Sequence, residues 1–220
     1  MLKIRFEKSV GFFIAFLSSE NNINCRFNLK SMGISIHYKG KLNSENLIDP
    51  FCEEVKDIAD SMDWEYTIIN RELGDEFSLK GLFIKPHEKA ELLQFVFDQK
   101  GYLRNALHLD YTDNDDDISF FNHIKTQYAP VEIHIAIIKL LHYLKEKYVS
   151  SLEVYDDGRF WETNDEKILN EKLEFLNKAM DKLEGILNSI PHEKDETAES
   201  IANKIERIIK AKLKGNDKND

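Results

Sequence analysis

Cysteine, proline and glycine are scarce in this sequence: among 220 residues there are two cysteines, four prolines and nine glycines. Two cysteines, Cys25 and Cys52, cannot build a disulfide framework and are too few for a thiolate zinc site. The low proline and glycine content excludes a collagen-like or low-complexity chain. Long apolar runs are also missing, because the nearest approach to the roughly 20 residues of a membrane span is VGFFIAFL at 10–17. We therefore expect no membrane association.

Positive charge is in the minority. The chain has 30 Lys and Arg against 40 Asp and Glu, a formal net charge of −10. This charge argues against a general nucleic-acid binder, because phosphate contacts need clustered positive charge. Hydrophobic residues make up 42% of the chain, which is enough to bury a core. The sequence contains no P-loop, GxSxG or GxGxxG motif. We predict a cytoplasmic protein without a cofactor, and neither nucleic acid nor a membrane as its partner.

Charge and pattern divide the chain into four parts. Residues 1–31 carry five basic and two acidic residues, a net charge of +3, so the remainder carries −13. We interpret the parts as an N-terminal extension at 1–31, an α+β core domain at 32–164, a C-terminal helical hairpin at 165–214 and a frayed tail at 215–220. The alternative is that the alternating residues Leu2, Ile4 and Phe6 form an ordinary first strand.

Apolar periodicity predicts how the core domain is built. Met32–Tyr38 alternates as a strand, and Asp49 is a suitable N-cap for a helix whose first position is Pro50. Three further apolar runs predict strands at 64–70, 79–84 and 92–97. Residues 131–148 are apolar around much of a helical circumference, which indicates burial against a sheet. We predict an α+β fold, with a mainly antiparallel sheet packed by this buried central helix.

A β-hairpin is predicted after the central helix. Residues 152–155 form the first strand, Asp156-Asp157-Gly158 has the composition of a turn, and residues 160–162 form the returning strand. Thr163 and Glu166 then have the spacing of a capping box, which predicts that the Thr163 side chain caps the next helix.

Two amphipathic helices are predicted in the C-terminal part. From Leu169 to Ile190, apolar residues recur at alternating steps of four and three, an a/d seam of three heptads that Pro191 ends. In the second helix, at 193–214, acidic residues come early and basic residues late, as the helix dipole favours. We predict a helical hairpin. Either it packs on its own domain, or the Leu169–Ile190 helix pairs with that of a second copy in a homodimer.

Four segments of the core domain resemble a family of uncharacterised bacterial proteins: MGISIHYKG, GLFIKPH, KTQYA followed by EIH, and LEVYDDGRFWET. Members of that family have a K-T-Q-aromatic-A segment, an E-x-H on a buried helix and a D-x-G-x-x-W-E-T hairpin. The resemblance covers roughly residues 32–165. It implies a domain that begins near Met32 and singles out these motif positions, but it implies no reaction.

The K-T-Q-aromatic-A and E-x-H motifs contain the candidate catalytic residues. Lys125 and Gln127 precede the N-terminus of the central helix, where backbone N–H groups favour an anion; the alternative is a loop held by side-chain hydrogen bonds. Glu132 and His134 lie two residues apart, about 200° around a helix, so they cannot hold one metal together from mid-helix. His134 lies at the edge of an apolar face, where the alternative is a hydrogen-bonded core histidine.

The acidic hairpin adds candidate metal ligands to His134. Together, His134, Asp156 and Glu162 would offer one imidazole and two carboxylates to a divalent ion. A turn favours Asp and Gly for its own geometry, so the alternative is that the carboxylates only shape the turn. The spacing of these residues does not force them into one pocket.

Two classes of function follow, and the sequence leaves open whether the protein is an enzyme. The lack of a catalytic motif, the acidic charge and the C-terminal helices favour a non-catalytic interaction protein, of immunity or accessory type, with a basic protein partner. The alternative is a metal-dependent hydrolase in which Lys125 stabilises negative charge. Its pocket would consist of the candidate residues from segments 125–134 and 153–163. These are Lys125, Gln127, Glu132, His134, Asp156 and Glu162. This pocket requires segments 125–134 and 153–163 to lie together.

Overall fold

The computed structural model of the chain describes residues 33–72, 78–105 and 121–188. One compact unit comprises Gly33–Leu173, and the described residues from Glu174 onward belong to a second unit. The first unit begins next to the boundary that the sequence predicts between 31 and 32. Three predicted parts lie outside the described residues: the extension at 1–31, the second helix of the hairpin at 193–214 and the tail at 215–220.

The first sheet is antiparallel and has the strand order β5-β1-β6. Its strands are β1 (Ser35–Lys39), β5 (Asn122–Lys125) and β6 (Glu153–Asp156). Successive residues of β1 point to opposite faces, so Ile36 and Tyr38 are fully buried whereas His37 is partly exposed on the other face. The strand predicted at 32–38 is confirmed, although it begins at Ser35.

The second sheet is an antiparallel meander with the order β2-β3-β4. Its strands are β2 (Glu65–Glu72), β3 (Ser78–Lys85) and β4 (Leu93–Asp98), which confirms the three strands predicted from apolar runs. At Gly81 an added Cβ would lie 1.9 Å from the carbonyl oxygen of Phe95, so no side chain fits there. β2 is exposed along most of its length, and within it only Ile69 is buried.

The described helices are α1 (Ile48–Ser61), α2 (Val131–Lys147), α3 (Phe160–Thr163) and α4 (Glu166–Asn188), with a 3-10 turn at Glu45–Leu47 before α1. The prediction that Asp49 caps α1 is wrong. The preceding 3-10 turn leads into a helix that begins at Ile48, so Asp49 lies inside its first turn, where the helix dipole favours negative charge. α2 confirms the predicted buried helix, and its buried residues are His134, Ile137, Ile138, Leu140, Leu141 and Leu144.

An aromatic cluster around Phe51 joins α1 to the second sheet. Phe51 is fully buried, and its ring makes edge-to-face contacts with Phe95, Phe97 and Tyr148 at centroid distances of 5.3, 4.9 and 5.4 Å. Each such pair contributes about 0.5–1.5 kcal/mol beyond the apolar area that it buries. Because Tyr148 follows α2, the cluster unites α1, α2 and β4 in one core.

The segment after β6 is not a β-hairpin. Residues 160–162, predicted as the returning strand, belong to helix α3. The reason is that the Asp156 side chain accepts hydrogen bonds from the N–H groups of Gly158 and Trp161, which curls the chain. Arg159 and Asn164 flank α3 in the left-handed region, with φ of 62° and 50°. This local path replaces strand pairing.

The predicted capping box is also wrong. The Thr163 hydroxyl donates to the carbonyl oxygen of Arg159 and accepts from the N–H of Asp165, so it closes α3. Asp165 takes over at the start of α4, where its Oδ1 accepts a hydrogen bond from the Lys167 N–H at 2.8 Å. Asp is as good an N-cap as Thr, and its position directly before α4 decides between them.

The architecture is α+β, as predicted, but the strands are divided between two three-stranded sheets. Within the described residues, no helix combines the length and apolar character needed to cross a membrane. Of the predicted heptad seam, Leu169 is buried, and Leu173, Leu176 and Met180 are partly exposed. Ile190 lies outside the described residues, and a homodimer through this helix stays a prediction.

Candidate functional site

His134 lies at the centre of a buried chain of three polar side chains. Its Nδ1 is 2.7 Å from Thr126 Oγ1, and its Nε2 is 3.2 Å from the carboxylate of Asp156. Thr126 follows β5, His134 lies in the first turn of α2, and Asp156 ends β6. Each of the three residues is only 2% exposed. The two motif segments therefore lie together, as the pocket hypothesis requires.

Asp156 is also held by the backbone. Its Oδ1 accepts from the Gly158 N–H at 2.7 Å, and its Oδ2 accepts from the Trp161 N–H at 3.0 Å. Burial alone would raise the pKa of Asp156, but the hydrogen bond and charge of His134, together with the two N–H groups, leave that pKa below its ordinary value. Asp156 is thus an ionised carboxylate whose oxygens both accept hydrogen bonds.

The Asp156 carboxylate fixes one proton of this hydrogen-bonded chain: an ionised Asp156 only accepts, so His134 Nε2 donates to it. Thr126 Oγ1, which lies next to His134 Nδ1, donates its own proton to the Ile34 carbonyl oxygen at 3.4 Å. The order hydroxyl, imidazole, carboxylate is that of the relay in serine hydrolases. The Thr126 hydroxyl is buried, however, and a nucleophile must reach its substrate. These hydrogen bonds therefore connect α2 to both outer strands of the first sheet, and they leave no hydroxyl oxygen accessible for reaction.

The other candidate ligands do not join the hydrogen-bonded chain of Thr126, His134 and Asp156. Glu132 and Glu162 are exposed, and within the described part of the molecule no hydrogen bond or ion pair links either of them to His134 or Asp156. Both ring nitrogens of His134 already face protein partners. Across residues 33–72, 78–105 and 121–188, no three His, Cys, Asp or Glu side chains are grouped so that they could hold a metal ion. The geometry gives the metal-site hypothesis no support.

Lys125 and Gln127 lie on either side of Thr126 and converge on Gly33. A Cβ added to Gly33 would meet Gln127 Oε1 and Lys125 Cε, so a larger residue there would displace the ends of both side chains. Gln127 is 6% exposed, and its Oε1 has no hydrogen-bond partner among the described residues. The Lys125 ammonium lies 5.6 Å from the ring centroid of Tyr128.

A polar face on the first sheet was not predicted from the sequence. His123, His37 and Tyr155 lie at paired positions on β5, β1 and β6, with neighbouring ring centroids 5.8 and 6.2 Å apart. His37 Nε2 lies 3.8 Å from Asp157 Oδ2. The available signal was the place of His37 between two apolar residues of an alternating strand, which directs it away from the core.

The acidic outer side of α1 was not predicted either. Four exposed carboxylates follow one another at helical spacing, namely Asp49, Glu53, Asp57 and Asp60. Lys80 pairs with Asp49, and Lys56 pairs with Glu53. No ion pair involves Asp57 or Asp60 within the described residues. The last turn of α1 contains no basic residue, so these two carboxylates lie where the helix dipole disfavours negative charge.

No protein-family model, curated protein or solved structure matches this chain. The resemblance to uncharacterised bacterial proteins therefore stays an expectation, and the function has to be argued from the residues themselves.

Proposed function

We propose that this protein is a non-catalytic, cytoplasmic interaction protein, of immunity or accessory type, that binds a basic partner protein through the acidic outer side of α1. The observation that carries the proposal is that Asp57 and Asp60, on the exposed side of α1 near its end, have no ion-pair partner among the described residues. Met62 follows directly and is 45% exposed, which adds an apolar contact beside the carboxylates. A charged rim around an apolar anchor is the usual composition of a protein–protein interface.

The energetics of α1 support a charged partner. Like charges three or four residues apart on a helix destabilise it by about 0.2–0.5 kcal/mol per pair. A carboxylate near a helix C-terminus loses a further ~0.3–1 kcal/mol through the dipole. A basic partner would relieve both penalties, and the net charge of −10 would steer its approach.

The residues of catalytic type support the same proposal. Thr126, His134 and Asp156 are engaged with one another and with the backbone, and all three are buried. Such a network contributes to stability and to a unique core when every member is satisfied. None of these atoms is placed to meet a substrate.

The test compares partner capture by the wild type with capture by the double variant Asp57→Lys/Asp60→Lys. We expect a basic protein from the host lysate to bind the wild type at low salt and to be lost in the variant, since charge attraction is screened by salt. Because the substitutions remove repulsion, the variant should melt no lower than the wild type. Loss of the partner therefore cannot be ascribed to unfolding.

A matched control is Glu88→Lys/Glu146→Lys, which changes the net charge equally at exposed positions outside α1. It should retain the partner. Equal capture by all three proteins would refute the role of α1. A separate thermal-shift panel with divalent metals addresses the hydrolase alternative: stabilisation by one metal, lost in Glu132→Ala/His134→Ala, would contradict the proposal, because only a native-state ligand raises stability in this way.

A further inference from the structure

Within the part of the chain that the structure describes, β2 is an edge strand that is paired on one side only. β3 pairs with it along all eight residues, from Glu65 opposite Lys85 to Glu72 opposite Ser78. Among the described residues, no strand or bridge pairs with its other edge. In an antiparallel ladder, alternate residues turn their N–H and C=O groups away from the partner strand. β2 therefore presents a row of backbone donors and acceptors over roughly 26 Å.

β2 lacks three of the features by which proteins usually block a strand edge, and its charged residues lie only at its two ends. It contains no proline and no lysine, its register against β3 has no bulge, and the middle of the strand, Tyr66–Ile69, is rich in residues of high β-propensity. Ile68 is 63% exposed, although Leu82 directly opposite on β3 is 1% exposed. The apolar layer of this sheet therefore continues to the solvent at Ile68.

We infer that β2 pairs antiparallel with β2 of a second copy of this chain, so that the two meanders form one six-stranded sheet. A closed dimer has a two-fold axis. Directly opposite residues of an antiparallel pair share a face. An axis perpendicular to the sheet must therefore pass midway between the two copies of one β2 residue, which faces itself across the axis. The geometry is fully specified once that residue is known.

Charge identifies Ile68 as the self-facing residue. When Ile68 faces its own copy across the axis, Glu65 lies opposite Arg71 of the second copy, and symmetry repeats this pair at the other end of the ladder. No other self-facing residue places Arg71 opposite a carboxylate of β2. Between the ion pairs, Tyr66 faces Asn70 and Thr67 faces Ile69, so no like charges oppose each other.

The same register covers the exposed apolar side chain. The two Ile68 side chains lie on one face of the joint sheet, and each has Leu82 of its own chain as its other cross-strand neighbour. Side chains directly opposite each other have Cβ atoms only about 4.5–5.5 Å apart, so the two isoleucines close the gap in the apolar layer. The inference does not depend on the proposed partner of α1.

The test is the oligomeric state of the full chain, measured by sedimentation equilibrium over a wide concentration range. We expect the wild type to dimerise, and Ile68→Lys and Arg71→Glu to raise the dimer Kd at least about tenfold, since each sets like charges together. The double variant Glu65→Arg/Arg71→Glu exchanges the partners of both ion pairs and should restore the wild-type Kd. Circular dichroism melting establishes that each variant is folded.

Two controls make the outcome decisive. Lys89→Glu changes the charge as Arg71→Glu does, at an exposed position outside β2, and should leave the Kd unchanged. Leu176→Lys probes the heptad seam of α4. A wild type that stays monomeric overturns the inference, and so does a folded Ile68→Lys variant that dimerises normally. A dimer lost only in Leu176→Lys assigns the interface to α4 and also overturns it. Failure of the double variant to recover refutes the register.

Discussion

The hydroxyl of Tyr38 and the backbone of Gln94 form a closed pair of hydrogen bonds. The hydroxyl donates to the Gln94 carbonyl oxygen and accepts from the Gln94 N–H, both at 2.9 Å. Tyr38 lies in β1 and Gln94 in β4, so one buried side chain joins the two sheets. Burial raises the pKa of Tyr38, so the phenol keeps its proton and its role as a donor.

Tyr38→Phe should therefore weaken the junction of the sheets. The variant keeps the ring but leaves the N–H and C=O of Gln94 without this partner. An unsatisfied buried polar group costs about 1–3 kcal/mol, and we expect the free energy of unfolding to fall by that amount. Urea denaturation measures it. Tyr128→Phe, at a residue 56% exposed, is the control and should change stability little. Equal effects of the two substitutions would contradict the role of Tyr38.

The stability of the protein should depend on the ionisation of Asp156. Its folded-state pKa is below the ordinary value. Its carboxylate therefore contributes stability that is fully present above the ordinary carboxyl range and is lost as the pH falls through the folded-state pKa. Asp156→Asn should lower the free energy of unfolding by about 2 kcal/mol at neutral pH, the size of a charged hydrogen bond.

The pH dependence provides the check on that assignment. The difference between wild type and Asp156→Asn, measured by urea unfolding, should stay constant at neutral pH and shrink in acid. Glu153→Gln, on the exposed side of the same strand, should show no such trend. A difference that is independent of pH would show that the Asp156 carboxylate is not the titrating group.

Two glycines should respond oppositely to alanine. At Gly81, with φ of 159°, the new Cβ would meet the Phe95 carbonyl oxygen and lie 2.7 Å from the Val96 Cα. These are backbone atoms of the neighbouring strand β4, and they cannot move away without disturbing the sheet. We expect Gly81→Ala to destabilise by at least about 3 kcal/mol. At Gly185, inside α4, nothing lies within 4 Å of the new Cβ. There alanine should stabilise by about 0.5–1 kcal/mol. Thermal denaturation of both variants decides the matter.

Glu54 should titrate far below an ordinary glutamate. Its carboxylate accepts hydrogen bonds from Tyr143 and Tyr148 and contacts Lys147 Nζ at 2.6 Å through both oxygens. Burial acts to raise the pKa of Glu54, but these three partners outweigh it and lower the pKa to about 2. Carboxyl NMR should find that pKa in the wild type and a rise toward 4.5 in Lys147→Met. A wild-type pKa near 4.5 would contradict the arrangement.

Most helices and strands could be predicted from apolar periodicity, but the pairing of the strands could not. α2 and the strands β2 to β4 each have a pattern that covers their own length. Alternation shows which residues of β1 face the core, but it does not identify β5 and β6 as the neighbours of β1, since those strands are distant in sequence. The division into two sheets depends on that long-range pairing.

The hairpin prediction failed because a side chain competes with strand pairing. Phe160 and Trp161 favour strands by propensity, yet the Asp156 carboxylate accepts backbone hydrogen bonds that shape a turn instead. Such competition depends on the buried position of Asp156, which no local pattern indicates.

Part of the candidate site could be predicted. His134 lies in the core with hydrogen-bonded partners, one of the two alternatives that its place on an apolar face allowed. Asp156 was also among the candidate residues. Thr126, the third residue of the hydrogen-bonded chain, was not predicted, because no sequence pattern distinguishes a threonine that bonds to a buried histidine. Glu132 is exposed for the reason that two residues along a helix reverse the direction of a side chain.

The central place of β1 in its sheet has a consequence for synthesis. β1 leaves the ribosome before either of its neighbours, whose residues are 122–125 and 153–156. The meander β2-β3-β4 has only local pairings and can fold early. β1 has neither neighbour until residue 125 has emerged, and it lacks β6 until residue 156 has emerged, so at least one of its edges stays an open template for other chains during that time. The nascent protein should therefore depend most on chaperones during that interval.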